Sequence, residues 1–358
     1  MKLAIISGGS KSSKMIAKEA KKYFDVKEIN LKDVHVETSS EGVIVYDGDE
    51  EIKDYDCIYC RGSFKHALLL RTVTTALQDV SYMPIAPEAF TVGHDKLLTL
   101  LYLNKHKVDI PKTFIAATTE IAKKIIKKIH FPAILKVPSG THGKGVMFAD
   151  SLSSANSLLD SLESFNQPYI IQEYVETGAT DIRAIVAGDK VVGSMKRKAE
   201  KGELRANIHA GASGENIILD YDTQQNAIKA AKAVDADICA VDILQGVKSV
   251  VIEINMSPGL QGITEITKKN VALEIAKYLA EKTKEFNKNK KSEKYGEVLE
   301  ELQIKKTTKN EIVMNLDIKA GVIKLPDLVT KSSDFKPGEE VLIKVDEGKV
   351  VIKRQNGD

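Results

Sequence analysis

Three oxygen-bearing side chains interrupt two neighbouring apolar runs near residue 250. Glu253 and Asn255 lie in VVIEIN, and Asp242 lies in ICAVDIL. A turn over residues 246–249 folds these runs into a hairpin with its midpoint between residues 247 and 248, so Asp242 is predicted to lie opposite Glu253. Opposed residues have Cβ atoms about 5 Å apart, and two carboxylates at that separation repel each other.

The same count divides the hairpin into two faces, because alternate strand residues point the same way. Asp242, Glu253 and Asn255 share one face. The apolar members are expected on the other face, against the core: Val241, Ile243, Ile252 and Ile254. A hard divalent cation such as Mg²⁺ would relieve the repulsion by binding carboxylate and amide oxygens. A solvated face with incidental acids, or a surface pair bridged by a lysine, also fits the spacing.

A glycine-rich loop separates two strand-like runs, AILKV and VMFAD. Lys136 lies near the end of the first run, and the loop contains Gly140, Thr141, Gly143 and Gly145. Glycines let backbone N–H groups approach phosphate oxygens, and a lysine adds positive charge. The strand–loop–strand order excludes a Walker loop and a Rossmann turn. A flexible turn without a ligand is the alternative interpretation.

Further polar residues follow on a second predicted hairpin, whose turn is Gly188-Asp189. Asp181 and Arg183 share a strand face, Arg197 lies on the partner strand, and Arg205 and Asn207 follow in a polar loop. Arginines beside an acidic face suit reactions that move anionic phosphoryl or carboxylate groups. Ordinary surface ion pairs would explain the same residues.

Two other positions are ambiguous when taken alone. Lys96 lies near a predicted helix start, where most lysines are solvated. Gln172, Glu173 and Tyr174 end a strand-like run, YIIQEYV, which indicates either a nucleotide-edge contact or merely an edge strand.

Alternating strand and helix patterns must position these residues. Runs such as MKLAIISGG and SKMIAKEAKKYF predict an open α/β layer over residues 1–90, and α+β patterns continue over 91–283. Residues 284–310 are dense in charge and indicate a linker or a solvated helix. Residues 311–358 alternate with period two and predict a small β-rich domain. The predicted fold class is therefore α/β and α+β with a β-rich end.

Composition excludes several classes of protein. Lys and Arg number 52 against 50 Asp and Glu, so the net charge of +2 favours neither nucleic acid nor an anionic membrane. No apolar run approaches the roughly 20 residues of a membrane helix, and we expect a cytoplasmic protein. The three cysteines make no disulfide framework. Cys57 and Cys60 form a C-x-x-C within a strand-like run, which predicts packing, with a redox or metal role as the minor alternative.

The motifs, in their order along the chain, resemble those of the ATP-grasp superfamily and specifically the RimK-type amino-acid ligases. They are HDKLLTLLYLNKHKVDIPKT, ILKVPSGTHGKGV, QEYVETGATDIRAIVAGDKVV, RKAEKGELRANIHAGAS, AVDIL and EINMSPGLQGI. The resemblance covers roughly residues 91–280. It implies a pre-ATP-grasp domain before residue 91 and an ATP-grasp fold of two α+β subdomains, with a lid subdomain at about 112–175.

The resemblance also implies roles for the residues above. Lys96 and Lys136 would contact ATP phosphates beneath the 140–145 loop, Glu173 and Tyr174 would hold adenine, and Asp181 the ribose. Asp242, Glu253 and Asn255 would bind two Mg²⁺ ions, for which Mn²⁺ could substitute. Arg205 and Asn207 would lie near the phosphates and acceptor, and Arg183 and Arg197 near the reacting groups.

The implied reaction joins a carboxylate to an amine through an acylphosphate. The family's usual amine is L-glutamate, and the acceptor is a protein C-terminus or a coenzyme tail. A ligase of the lysine/arginine-biosynthesis type, which acts on an acidic carrier protein, is an alternative within the superfamily.

Residues 311–358 resemble a swapped-hairpin AbrB-like domain, on VIKLPDLV and KPGEEVLIKVDEGKVVIKR. Such domains interlock as dimers, so we expect a homo-oligomer, either a dimer or a tetramer. Acidic residues balance the basic ones here, which argues against DNA as a partner. The non-enzymatic alternative is a nucleotide-gated DNA-binding regulator that uses this domain.

Overall fold

The computed structural model describes residues 1–40, 42–138, 145–199 and 213–301, and in the C-terminal part 305–307, 311–313, 317–319, 322–325, 336 and 338–354. Two compact units make up the chain, Met1–Lys288 and Asn289–Asp358. Among the described residues, no helix combines the length and the apolar character needed to cross a membrane.

The helices are α1 (Lys11–Ala20), α2 (Ala67–Leu77), α3 (Pro87–Val92), α4 (Lys96–Lys105), α5 (Thr119–Ile126), α6 (Leu152–Ser164), α7 (Tyr221–Ala233), α8 (Gln261–Thr267) and α9 (Val271–Glu301). The strands of the first unit are β1 (Lys2–Ser7), β2 (Asp25–Asn30), β3 (Val34–Ser39), β4 (Gly42–Asp47), β5 (Glu50–Glu51), β6 (Cys57–Arg61), β7 (Thr113–Phe114), β8 (Ala133–Lys136), β9 (Val146–Ala149), β10 (Ile170–Glu173), β11 (Thr180–Ala187), β12 (Lys190–Lys198), β13 (Ser213–Asn216), β14 (Ile238–Gln245) and β15 (Ser249–Asn255).

The N-terminal layer is a parallel sheet in the order β2-β1-β6, beside a small antiparallel sheet, β3-β4-β5. Strands β1 and β6 are apolar and buried almost throughout, as parallel strands covered on both faces are. Cys57 and Cys60 are buried in β6, and burial raises the pKa of each thiol to about 12. A raised pKa disfavours the thiolate, which is the reactive form. These cysteines therefore pack in the core, as predicted.

A five-stranded antiparallel sheet in the order β13-β12-β11-β14-β15 carries six of the candidate residues: Asp181, Arg183, Arg197, Asp242, Glu253 and Asn255. Strands β11 and β12 form the predicted hairpin, in which Ala187 pairs with Lys190 around the Gly188-Asp189 turn. Helices α7, α8 and α9 supply apolar side chains to one continuous core that also includes the N-terminal sheet. The two sheets are therefore fixed to each other within the first unit.

The acidic hairpin β14–β15 has a register that the sequence predicted only in part. Asp242 does lie opposite Glu253, but Gln245 pairs with Ser249, which makes the turn one residue shorter than predicted. A β-bulge beside Asp242 restores the expected pairing. The prediction that Ile252 faces the core was wrong: Ile252 is partly exposed, and Val251 is buried.

A second, smaller antiparallel sheet has the order β7-β10-β8-β9 and its own core under helices α5 and α6. Strand β8 ends at Lys136, as predicted. Strand β10 lies between β7 and β8, so the edge-strand interpretation of YIIQEYV was wrong. Its alternating side chains reach both faces of this sheet.

Helix α9 continues to Glu301, so the charge-rich stretch after residue 284 is helical over that part. Lys and Glu are good helix formers, which agrees with this extension. The described strands of the second unit form three antiparallel hairpins: β16 (Lys305–Thr307) with β17 (Glu311–Val313), β18 (Asp317–Lys319) with β19 (Val322–Lys324), and β20 (Val341–Asp346) with β21 (Lys349–Arg354).

Gly188 gives a test of how tightly the β11–β12 hairpin is packed. Its φ is +62°, and a Cβ atom there would lie 2.2 Å from the ring of Tyr278. We expect Gly188→Ala to lower the free energy of unfolding by about 2–4 kcal/mol, from backbone strain plus overpacking. Gly178→Ala is the matched control, since Gly178 has a similar φ of +64° in open space. Equal losses in urea unfolding would show that the Tyr278 contact is unimportant.

Candidate active site

Asp242 lies at the centre of the site and is 5% exposed. Arg183, directly opposite on β11, donates from Nε to Oδ1 at 2.8 Å and from Nη2 to Oδ2 at 2.6 Å. Arg197 on β12 donates from Nη2 to Oδ2 at 3.0 Å. Burial opposes ionisation, but the two guanidinium groups outweigh it and hold the pKa of Asp242 well below its usual range.

Asp181 completes a chain of alternating charges across three strands. It lies directly opposite Arg197, whose Nε donates to Asp181 Oδ1. Burial raises the pKa of Asp181 to about 6, and the charge of Asp242 adds to the effect, while Arg197 opposes it. The predicted proximity of Asp181, Arg183 and Arg197 is therefore present, as a buried ion-pair network.

Glu253 faces two lysines from other elements. Helix α4, which begins at Lys96, packs against β15, and Lys136 ends β8 of the small sheet. Removal from water and the nearby negative charge of Asp242 raise the pKa of Glu253. The positive charges of Lys96 and Lys136 lower it. Burial, reinforced by the positive charge of Lys96, lowers the pKa of Lys136 to about 8. The negative charge of Glu253 opposes part of this shift. Asp242, Lys96 and Lys136 thus all lie within electrostatic reach of Glu253.

Gln172 has a role that the sequence did not indicate. It is 3% exposed, and its Oε1 accepts a hydrogen bond of 2.6 Å from Lys136 Nζ. Its Nε2 donates to Thr113 Oγ1 at 2.9 Å, which fixes the orientation of the amide. Gln172 therefore holds Lys136 at the end of its strand. A polar residue among the apolar ones of YIIQEYV was the available signal.

Glu173 and Tyr174 lie at the end of β10, beside the strand that carries Lys136. Glu173 Oε1 is 3.5 Å from Lys112 Nζ, and the Glu173 N–H donates to the Lys112 carbonyl. The Tyr174 ring packs edge-on against Phe148, with 5.4 Å between centroids. Both residues therefore border the same small sheet as Lys136.

The oxygen atoms of the acidic face fit a hard cation. Asn255 Oδ1 accepts one hydrogen bond, 2.8 Å from Ser257 N, and Asp242 Oδ1 accepts one from Arg183, so each oxygen keeps a free lone pair. Among the described residues, no protein hydrogen bond reaches the Glu253 carboxylate. Within the described residues, no group of three or more His, Cys, Asp or Glu side chains is arranged to hold a metal ion. The donor set is two carboxylates and one amide, which suits Mg²⁺.

Five of the predicted site residues belong to two segments that the structure does not describe. Gly140, Thr141, Gly143, Arg205 and Asn207 lie outside the described residues. Gly145, which closes the glycine-rich loop, is described and has a φ of +78°. Its backbone carbonyl accepts a hydrogen bond of 2.9 Å from Val137 N, so the two ends of the loop are joined.

Removing Arg197 tests the ion-pair network. We expect Arg197→Met to lower the free energy of unfolding by about 3–5 kcal/mol at pH 7, because buried carboxylates lose their cation. The pKa of Asp181 should then rise further, so the folded variant binds a proton that the unfolded chain releases near pH 4. The loss, measured against wild type, should therefore shrink between pH 7 and pH 5.

Urea unfolding at both pH values measures this effect. Lys198→Met is the control, because Lys198 is an exposed cation on the same strand. An Arg197→Met loss that is equal at both pH values would contradict the proposed proton uptake.

Known proteins resemble this chain in both sequence and fold. A family model of the RimK-like ATP-grasp domain matches residues 93–279, more than half of the chain. A relative from Saccharophagus degradans, named a probable alpha-L-glutamate ligase, is 38% identical over 202 residues, which cover 56% of this chain and 67% of the relative. A relative of the same name from Cellvibrio japonicus is 30% identical over 292 residues, 79% of this chain and 97% of the relative.

A solved structure agrees with the fold at lower identity. The ATP-grasp ligase PsnB, in a complex with a minimal precursor, Mg and ADP, superposes with a TM-score of 0.62 at 15% identity. The match covers 79% of this chain and 98% of PsnB. The family match and the extent of the relatives are sufficient for assignment: the chain is a ligase that belongs to the RimK-like ATP-grasp family.

Proposed function

We propose that this ligase uses ATP and Mg²⁺ to join a carboxylate to an amine through an acylphosphate. The observation that carries the proposal is that Lys96 and Lys136 both lie near Glu253, the residue paired with Asp242. Cations from α4 and β8 facing carboxylates on β14 and β15 suit a metal–polyphosphate complex, which has both signs of charge to satisfy.

The nucleotide would lie between the small sheet and the five-stranded sheet. Lys96 and Lys136 would contact its phosphates, under the loop at 140–145. Glu173 and Tyr174 would border the adenine. Asp181 would accept from a ribose hydroxyl with Oδ2, since its Oδ1 already accepts from Arg197.

Asp242, Glu253 and Asn255 would hold Mg²⁺, and we propose two ions, for which Mn²⁺ could substitute. When bound, the metal would offset negative charge on the transferring phosphoryl group. The side chains of this chain would orient the reactants: the lysines hold the phosphates in line, and Arg183 and Arg197 keep Asp242 ionised and fixed.

The reaction would run in two steps with no nucleophilic side chain. An acceptor carboxylate oxygen attacks the γ-phosphorus of ATP, and the bond to ADP breaks, which leaves an acylphosphate. The amine nitrogen then attacks the acyl carbon, phosphate leaves with the bonding electrons, and a proton is lost from nitrogen. Arg205 and Asn207 are proposed to lie near the acceptor.

We propose L-glutamate as the amine and a protein C-terminus or coenzyme tail as the acceptor. The support comes from the relatives, which are named alpha-L-glutamate ligases. Their identities of 30–38% support the reaction class more strongly than the acceptor.

The C-terminal hairpin β20–β21 supports a homo-oligomer. Several apolar side chains in it are exposed: Leu342, Ile343, Val345, Val350 and Ile352. An isolated two-stranded hairpin is marginally stable in water, so this surface would gain stability by packing against another copy. We propose that the AbrB-like resemblance reflects such assembly and not DNA binding.

Phosphate release with a panel of amino acids and acceptors tests the proposed reaction. We expect release to require ATP, Mg²⁺, an acceptor and L-glutamate together. Lys136→Met should lower kcat/KM for ATP about 10²- to 10³-fold, the usual effect of removing one charged contact to the reacting groups. Lys128→Met, at an exposed lysine of the same subdomain, should retain wild-type activity.

Three outcomes would overturn parts of this proposal. Wild-type activity in Lys136→Met would refute the site. Mass spectrometry that shows addition to an acidic carrier protein would favour the lysine/arginine-biosynthesis type of ligase. Sequence-specific DNA binding that weakens steeply with salt, without phosphate release, would favour a regulator.

The pKa of Lys136 predicts a pH dependence of nucleotide binding. With a pKa of about 8 in the free protein, Lys136 is mostly charged at pH 7 and mostly neutral at pH 9. Since bound phosphates favour the charged form, ADP affinity should fall about tenfold between these pH values. Calorimetric titration with ADP measures it. An equal fall in Lys136→Met would show that another group is responsible.

A further inference from the structure

A buried arginine of the N-terminal sheet contacts the loop that follows the acidic strand β15. Arg61 is 3% exposed, and its Nη2 donates to the carbonyl oxygen of Pro258 at 2.7 Å. Its Nε donates to Ser13 Oγ at 3.1 Å, and its Nη1 donates to Tyr59 OH at 2.8 Å. All three acceptors are neutral. Among the described residues, no carboxylate forms an ion pair with Arg61.

Two neighbouring groups, Gly62 just after β6 and Ser12 in helix α1, hold the rest of this loop, residues 257–261. Gly62 N donates to Ser257 Oγ at 2.9 Å. Ser12 Oγ accepts from Leu260 N at 2.8 Å and donates to Gln261 Oε1 at 2.9 Å. With Arg61, these contacts make four hydrogen bonds to this loop from the end of β6 and the start of α1.

These contacts lie at the edge of the N-terminal sheet where open parallel sheets usually bind ligands. Strand β1 pairs with β2 on one side and β6 on the other, so the chain crosses over at β1. Open parallel sheets normally bind a ligand at such a point, beyond the carboxyl ends of the strands. Here Arg61 and Ser12 lie at that edge, and the chain's own loop takes the place of the ligand.

A cation buried among neutral groups lowers stability, and an apolar side chain would fill the same space at less cost. The loop that Arg61 holds leads directly to the site, because Ser257 N donates to Asn255 Oδ1 at 2.8 Å. We infer that Arg61 is a positioning residue: it fixes the 257–261 loop so that Ser257 orients the amide oxygen of Asn255 toward the cation. This inference rests on the proposed metal site.

Metal binding without turnover tests the inference. Electron paramagnetic resonance of free Mn²⁺ gives its affinity for the full chain with ADP present. Arg61→Gln is expected to weaken Mn²⁺ binding about 10- to 100-fold, the range for losing a group that orients a metal ligand. Hydrogen–deuterium exchange should speed up in the loop that contains Ser257 and Leu260, and be unchanged in the lid strands β8 and β10.

Two further variants keep the test decisive if Arg61→Gln folds poorly. Ser12→Ala removes two other contacts to the loop and should weaken Mn²⁺ binding in the same direction, by a smaller factor. Arg71→Gln is the matched control, since Arg71 is another arginine of the first 90 residues and contacts Thr91 and Glu88 but not the loop. It should bind Mn²⁺ as wild type does.

Unchanged Mn²⁺ affinity in both Arg61→Gln and Ser12→Ala would overturn the inference, and so would an equal loss in Arg71→Gln. Glu253→Gln separates this failure from that of the proposed function. If Glu253→Gln weakens Mn²⁺ binding and the Arg61 and Ser12 variants do not, only the positioning role fails. If Glu253→Gln also binds normally, the metal site itself fails.

Discussion

The carboxylate of Asp242 is the interaction on which the rest of the site depends. It is buried, and it remains ionised because two guanidinium groups, from the adjacent strand β11 and from β12 beyond it, donate to it. Those strands must pair in register for the geometry to exist, so the five-stranded sheet and the charge network require each other. Removal from water and the negative charge of Asp242 together raise the pKa of Glu253.

Three parts of the first unit build the candidate site, two by carrying its charged groups and one by supporting a loop beside it. The five-stranded sheet holds the acids and arginines, and the small sheet presents Lys136 through Gln172. Strand β6 and helix α1 of the N-terminal part have no group in the proposed reaction, yet they hold the loop beyond Asn255 through Arg61 and Ser12. Functional side chains thus come from several elements, and their precision comes from hydrogen bonds between elements.

The sequence predicted what depends on local pattern and on ordered motifs. Alternation and turn residues were sufficient for the Asp181–Arg197 hairpin and for the Asp242–Glu253 pairing, and the motif order was sufficient for the family. It did not predict the bulge at Ile252, because a shorter turn plus one extra residue gives the same opposed pair. It also missed Gln172 and Arg61 as supports, since their partners are 36 and 197 residues away for the contacts with Lys136 and Pro258. Such contacts form only when separate sheets pack together.

The ladder on both sides of the bulge in β15 makes the acid pair independent of the hairpin tip. Ile243 pairs with Val251 on one side of the unpaired Ile252, and Asp242 pairs with Glu253 on the other. An insertion at the exposed tip near Val247 would lengthen only the loop, and a deletion of Ile252 would turn the bulge into a regular ladder with the same two pairs. Relatives can therefore differ in tip length, or lack the bulge, while the two acids stay opposed.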